Sequence, residues 1–214
     1  MALRVAILAQ KGGTRKSTLS RALSVAYTKG GWKTLLADLD ANQATAGRWA
    51  LRRQARGIEP AIDLQLHPTA ARALAASDDY DLVIFDGKGF ASDETAVLAK
   101  AADLILIPSG NSLDDLEPSV TLAMLLVQEH GISPERILFP LTNMGKSLAE
   151  IADARAYLEK AGFQASPGFL SIMTCYGQAH DQGRAVTEVR APGPKKQAND
   201  WIRGIIDRID QLVN

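Results

Sequence analysis

Lys11-Gly12-Gly13-Thr14-Arg15-Lys16-Ser17-Thr18 packs two lysines, two glycines and three hydroxyls into eight residues. An apolar run precedes it and an Ala/Leu-rich stretch follows without a gap, as expected of a loop between a strand and a helix. Such a loop can turn its amides inward around an anion, its small residues let the backbone approach, and the helix N-terminus adds partial positive charge. In this arrangement Gly12, Gly13, Thr14 and Arg15 cradle phosphates, Lys16 neutralises β- and γ-phosphate oxygens, Ser17 ligates Mg²⁺, and Thr18 reaches the α-phosphate.

Carboxylates that could complete such a site stand at the ends of two other apolar runs. Leu35-Leu36-Ala37-Asp38-Leu39-Asp40 ends in two acids at i and i+2, which share a face while the chain stays extended. Asp86 closes Asp81-Leu82-Val83-Ile84-Phe85, so a hydrophobic strand delivers one carboxylate to the metal side of the pocket. Gly87 and Gly89 flank Lys88 and suggest a mobile switch.

The elements that must position these groups alternate between short apolar runs and longer helical stretches, the pattern of βα units around a parallel sheet. Strands are expected at Arg4 to Ala9, Thr34 to Leu39, Ile62 to Leu66, Asp81 to Phe85, Leu104 to Ile107 and Ile137 to Leu141, with a weaker run at Leu170 to Met173. Helices are expected at Lys16 to Lys29, Thr45 to Arg56, Pro68 to Ala76, Asp93 to Ala101, Leu113 to His130 and Ser147 to Ala161. Pro192 and Pro194 mark a break before a closing helix from about Lys195 to Val213. The expected fold class is α/β, a mostly parallel twisted sheet with helices on both faces, and residues 1–214 read as one domain.

Composition removes several function classes. The chain has 214 residues, 46% of them apolar, which excludes a disordered or collagen-like protein. Basic and acidic residues number 24 each, so any attraction to nucleic acid must come from a local patch. Cys175 is the single cysteine, which excludes an intrachain disulfide and a cysteine-ligated cluster within one chain. The histidines His67, His130 and His180 lack ligand spacing. The first apolar stretch, Val5 to Ala9, is too short for a secretory segment, and a cytoplasmic location is expected.

The strict pattern G-x-x-x-x-G-K-[ST] fails, because Gln10 and Arg15 occupy its glycine positions. Residues 11–18 instead resemble the deviant Walker A motif, KGGxGK[ST][ST], of the ParA/MinD family of P-loop ATPases, at seven of eight positions. Arg15 is the departure, and three outcomes are open: it points outward, it donates to a phosphate or a partner subunit, or it fills the pocket and abolishes binding. Asp38 to Gln43 resembles the family's DxDPQ element, with Ala41 and Asn42 in place of proline and glutamine.

The resemblance implies an ATP- and Mg²⁺-dependent switch. It gives Lys11 a role in trans on the partner's phosphates across an ATP-sandwiched homodimer, Asp40 the water-orienting role, and Asp38 a supporting place near the metal held by Ser17 and Asp86. Thr142 and Asn143 end a strand where relatives place adenine-reading groups. Ile107-Pro108-Ser109 with Asp114 and Asp115 resembles the loop and helix at the dimer face. Family members of the ParA type bind DNA without sequence preference, move plasmid, chromosomal or other cargo, and respond to a ParB-like stimulating partner; nucleoid association would follow. The DNA patch would draw on Arg184, Arg190, Lys195, Lys196, Arg203 and Arg208. Two alternatives stand beside this reading. One is a scaffold whose Arg15 impairs nucleotide binding. The other is a MinD-like membrane ATPase using the terminal helix, disfavoured because acids mix with the arginines on its polar face.

Overall fold

A computed structural model describes residues 2–40, 45–88, 93–145 and 147–213. Strands β1 (Leu3–Ile7), β2 (Thr34–Asp38), β3 (Asp63–Leu66), β4 (Leu82–Asp86), β5 (Leu104–Leu106), β6 (Ile137–Met144) and β7 (Gln164–Ser171) form one sheet in the order β3-β2-β4-β1-β5-β6-β7. Every neighbouring pair is parallel. The connecting helices are α1 (Lys16–Lys29), α2 (Thr45–Ala55), α3 (Ala70–Ala75), α4 (Asp93–Ala101), α5 (Leu113–His130), α6 (Leu148–Lys160), α7 (Thr174–Asp181) and α8 (Pro192–Val213).

Because both faces of the sheet are covered, its central strands are apolar throughout rather than alternating. Leu82, Val83, Ile84 and Phe85 are all fully buried. Val5, Ile7, Leu36, Leu82 and Ile84 pack on one face with residues of α1 and α8 and with Trp49 of α2. Ala6, Leu35, Ala37, Val83 and Phe85 pack on the other with residues of α3, α4, α5 and α6. The expected α/β class with a parallel sheet is the observed one.

Three local expectations change. β7 starts at Gln164, six residues before Leu170, although Pro167 and Gly168 interrupt its pattern. As an edge strand it pairs only with β6, so a proline costs no shared ladder bond. A Cβ on Gly168 would come within 2.5 Å of Trp201 Cα, so this glycine lets α8 lie directly on the strand. α8 starts at Pro192, since prolines in a first turn give up only amides that have no intrahelical acceptor. α7 lacks an expected counterpart because Gly177 and mixed polarity hide its period; Tyr176 anchors it, donating to the Pro194 carbonyl at 2.9 Å.

One buried ionic cluster ties α1 and α2 to the segment before α8. The Arg53 guanidinium donates to Glu188 through Nη1 (2.6 Å) and Nη2 (3.1 Å), and Lys29 Nζ adds a contact of 2.7 Å. Trp49 receives two guanidinium groups over its ring, with Arg21 Cζ at 5.5 Å and Arg53 Cζ at 5.6 Å from its centroid. Burial pushes the Glu188 carboxyl up, but the Arg53 and Lys29 hydrogen bonds and the Ala185 amide outweigh it and hold the group at about 2. Its stabilising contribution is therefore present above the ordinary carboxylate range and is lost as pH falls from about 4.5 toward about 2. Glu188→Gln should lower the unfolding free energy by about 3 kcal/mol at pH 7, because Arg53 stays buried without its countercharge. Urea denaturation at pH 7 and pH 3 checks this, with the difference between wild type and variant shrinking at the lower pH.

Candidate nucleotide-binding site

The loop between β1 and α1 lies at the carboxyl end of the sheet, where ligands of open α/β folds bind. Its geometry turns on residue 15, which precedes α1 with φ 67° and ψ 25°. The Arg15 carbonyl accepts from the amides of Thr18 (3.1 Å) and Leu19 (3.0 Å), so this left-handed residue starts the helix. An L-residue in that conformation costs roughly 1 kcal/mol or more. Space is open where a Cβ on Gly12 or Gly13 would stand, and Gly13 has φ 83°. Thr14 is buried, as is Thr18 in the first turn of α1.

Arg15 Nε donates to Asn143 Oδ1 at 2.8 Å, and Asn143 Nδ2 donates to the Gly13 carbonyl at 3.1 Å. Thr142 Oγ1 lies 3.2 Å from the Thr14 carbonyl oxygen and 3.3 Å from that of Ser109, and its proton serves these two acceptors. The β6 end thus grips the backbone of the loop. The Arg15 side chain leans toward β6, whereas Lys16 senses Asp86 and Asp40 near β4 and β2. The contact made by the Arg15 side chain runs to Asn143 at the end of β6.

Asp38 and Asp86 are register neighbours on β2 and β4, which brings two buried carboxylates together beside the loop strand. Asp38 Oδ1 accepts the Asp40 amide at 2.8 Å. Burial raises its pKa above the ordinary carboxylate value, opposed by that amide bond and by another from Ala46. Asp86 Oδ2 accepts from Ser20 Oγ at 3.0 Å, while its buried Oδ1 has no partner. Burial and the Asp38 charge push Asp86 up to about 6, against hydrogen bonds from Ser17 and Ser20 and the charge of Lys16. Burial lowers Lys16, and Asp86 and Asp40 partly restore it. Asp40 is half-buried.

Lys11 is exposed, and its ammonium reaches Asp115 Oδ1 at 3.2 Å and the Asp114 carbonyl at 3.5 Å. Pro118 stands four residues after Asp114 in α5 and has no amide to offer it, which leaves that carbonyl open. A Cβ on Gly110 would meet Asp115 Oδ2 at 2.3 Å, so the glycine makes room for this carboxylate. Gly87 serves close approach as well: its added Cβ would lie 2.9 Å from Leu8 Cδ2 and 3.0 Å from the Ile7 carbonyl oxygen. Close packing is one use of Gly87; Gly89, on which the expected switch also rests, and the Ala41-Asn42-Gln43 segment lie outside the described residues.

A profile of the CobQ/CobB/MinD/ParA nucleotide binding domain matches residues 5–211. The chain belongs to this family. Sequence comparison with curated proteins finds no match. Among solved structures, the septum site-determining protein MinD complexed with Mg-ADP from Pyrococcus horikoshii aligns with a TM-score of 0.74 at 16% identity, covering 98% of each chain. A putative plasmid partition protein from Borrelia burgdorferi bound to AMPPNP gives 0.74 at 16%, over 97% of this chain and 100% of that one. A Cyanothece McdA(D38A)-ATP complex gives 0.72 at 18%, over 95% and 96%.

The residues of this CobQ/CobB/MinD/ParA domain fit a metal-bound polyphosphate. The unpartnered buried oxygen of Asp86, beside the Ser17 hydroxyl, matches the donor set of a hard cation. The open space over Gly12 and Gly13 matches an anion cradle. Ser17 and Asp86 would hold Mg²⁺, and the loop amides with Lys16 would hold phosphate oxygens. Reading the sequence missed Ser20, which steadies Asp86 from the turn after Ser17, and missed the loop-gripping contacts of Thr142 and Asn143. The first had a signal in the spacing from Ser17; the second had none, being a contact across 128 positions.

The proposed DNA patch is divided by the fold. Arg184, Lys195 and Arg203 line one groove together with Lys29, but the acids Glu59, Glu188 and Asp207 line it too. Lys196 pairs with Asp200 at 2.6 Å, and Arg208 Nη2 donates to the Glu135 carbonyl at 2.6 Å. On the terminal helix, Trp201, Ile202, Ile205 and Ile209 are buried, so this apolar stripe is core. No helix among the described residues is long and apolar enough to cross a membrane.

Asp86→Asn should make the ligand-free protein more heat-stable at neutral pH. The raised pKa means that the charged form is disfavoured in the fold, so the penalty grows as pH rises from about 4 to about 6. Thermal melts at pH 4 and pH 7 should show a variant gain of a few degrees at pH 7 only, while titration with Mg-ATP shows weaker binding.

Proposed function

We propose that this domain is a Mg²⁺-dependent ATPase that dimerises around ATP and uses the cycle to move or position DNA or other large cargo. The observation that carries the reading is the convergence at one sheet edge of an open glycine loop, Lys16, and a buried Asp86 with an unpartnered oxygen. The lean of Arg15 toward Asn143 favours this reading over that of a scaffold blocked at the loop.

Each side chain then has a defined task. The loop amides and Lys16 bind and orient the β- and γ-phosphates. Ser17 and Asp86 would hold Mg²⁺, which when bound neutralises phosphate charge and polarises the terminal phosphoryl group. Asp38, anchored by two amides, sets the turn that presents Asp40. Asp40 orients the attacking water and accepts its proton. Lys11 leaves Asp115 and neutralises charge on the phosphates bound by the partner subunit.

For cargo, the dimer would double a modest basic surface around Arg184, Lys195 and Arg203, so that ATP binding strengthens attachment to a phosphate backbone. A second protein of the ParB kind would stimulate turnover. The buried stripe of α8 weighs against membrane attachment through that helix.

Lys16→Ala should reduce Mg-ATP affinity at least a hundredfold in isothermal titration, an estimate for removing a charge-assisted phosphate contact. Asp40→Ala should bind Mg-ATP normally, lose phosphate release, and accumulate as a dimer in sedimentation; unchanged turnover removes Asp40 from its assigned role. DNA retention and vesicle flotation, each with and without ATP, distinguish the cargo: ATP-dependent flotation without DNA retention would replace the DNA reading with a membrane one. Binding of Mg-ATP only by Arg15→Gly would favour the scaffold reading.

A further inference from the structure

Arg15 and Asn143 are the non-glycine residues with positive φ among the described residues, at 67° and 54°, and they are hydrogen-bonded to each other. Two uncommon backbone conformations, 128 positions apart in sequence, meet in one contact. Asparagine tolerates the left-handed region, whereas arginine enters it only against steric resistance that glycine does not feel. The Arg15 carbonyl accepts the amides of Thr18 and Leu19. A residue 15 that relaxed out of this conformation would shift the start of α1 and, with it, Lys16.

We infer that Asn143 is a positioning residue for the phosphate loop: it holds Arg15 in the left-handed conformation that a glycine would adopt unaided. This deepens the nucleotide-binding reading and rests on it. Both ends of the Asn143 amide serve the loop, Oδ1 accepting from Arg15 and Nδ2 donating to the Gly13 carbonyl. Thr142 holds the Thr14 carbonyl between them, so three consecutive loop residues are fastened to the end of β6. The ligand served by this clamp is polyphosphate, whichever base it carries. Assigning Asn143 to adenine would require its amide to leave the loop.

The consequence is conditional: Asn143 matters because residue 15 is not glycine. Four proteins test it, the wild type, Asn143→Gly, Arg15→Gly and the double variant, each titrated calorimetrically with Mg-ATP and with Mg-tripolyphosphate, which has no base. Asn143→Gly accepts the positive φ, so it removes the amide without burdening the backbone. It should weaken both ligands about fivefold in the wild-type background, the scale of one hydrogen bond. In the Arg15→Gly background the same change should cost clearly less, about twofold, the remainder belonging to the Asn143 Nδ2 contact with the Gly13 carbonyl. Equal losses in the two backgrounds would overturn the inference, since a general packing role would not be relieved at residue 15. A loss confined to Mg-ATP would overturn it too, making Asn143 a base reader. If none of the four proteins binds either ligand, the nucleotide reading falls and takes this inference with it, a result distinct from binding with additive losses.

Discussion

Asp86 is enclosed at the carboxyl end of β4 with Asp38 beside it in register, and one of its oxygens has no hydrogen-bond donor. Two carboxylates in a low-dielectric interior repel each other, and burial resists the ionisation of either. Such a pair is costly to the fold by itself. A divalent cation or a phosphate-bound metal reverses the sign of that cost, because the buried oxygen then has a partner of opposite charge. In the proposed reading, the same packing would make a bound cation stabilising.

The surrounding architecture makes this arrangement possible. Parallel strands point their carboxyl ends in one direction, so Asp38, Asp86 and the loop after β1 emerge on the same edge of the sheet. The apolar strands that deliver them are covered by helices on both faces, which supplies the stability that the acidic edge withdraws. On one side, the Glu188 cluster anchors α2 and α1, with Arg21 and Arg53 both over the Trp49 ring. On the other, β6 reaches the phosphate loop through Thr142 and Asn143.

The family loop is kept in shape here by different means. A glycine satisfies a left-handed turn by lacking a side chain, and Arg15 satisfies it by a tether to Asn143. Lys11 is also held by a feature of the fold. Pro118 leaves the Asp114 carbonyl open, and that carbonyl together with Asp115 receives the Lys11 ammonium within the same chain.

What could be read along the chain was whatever depends on near neighbours. Continuous apolar runs ending in Asp38 and Asp86 imply covered strands with carboxylates at their ends, and residues 11–18 carry the signature of a strand, loop and helix around phosphate. The proline-broken β7, the glycine-containing α7 and the true start of α8 were hidden because tertiary packing overrode local preference there. Pairings at long separation were beyond such a reading altogether. Arg15 with Asn143, Arg53 with Glu188, and Lys11 with Asp115 join positions more than a hundred residues apart. The order of strands in the sheet decides which loop ends become neighbours, and no local periodicity encodes that order. Residue types therefore determined which chemistry was available, while the folded sheet decided which charges were left without partners and which side chains hold the loop.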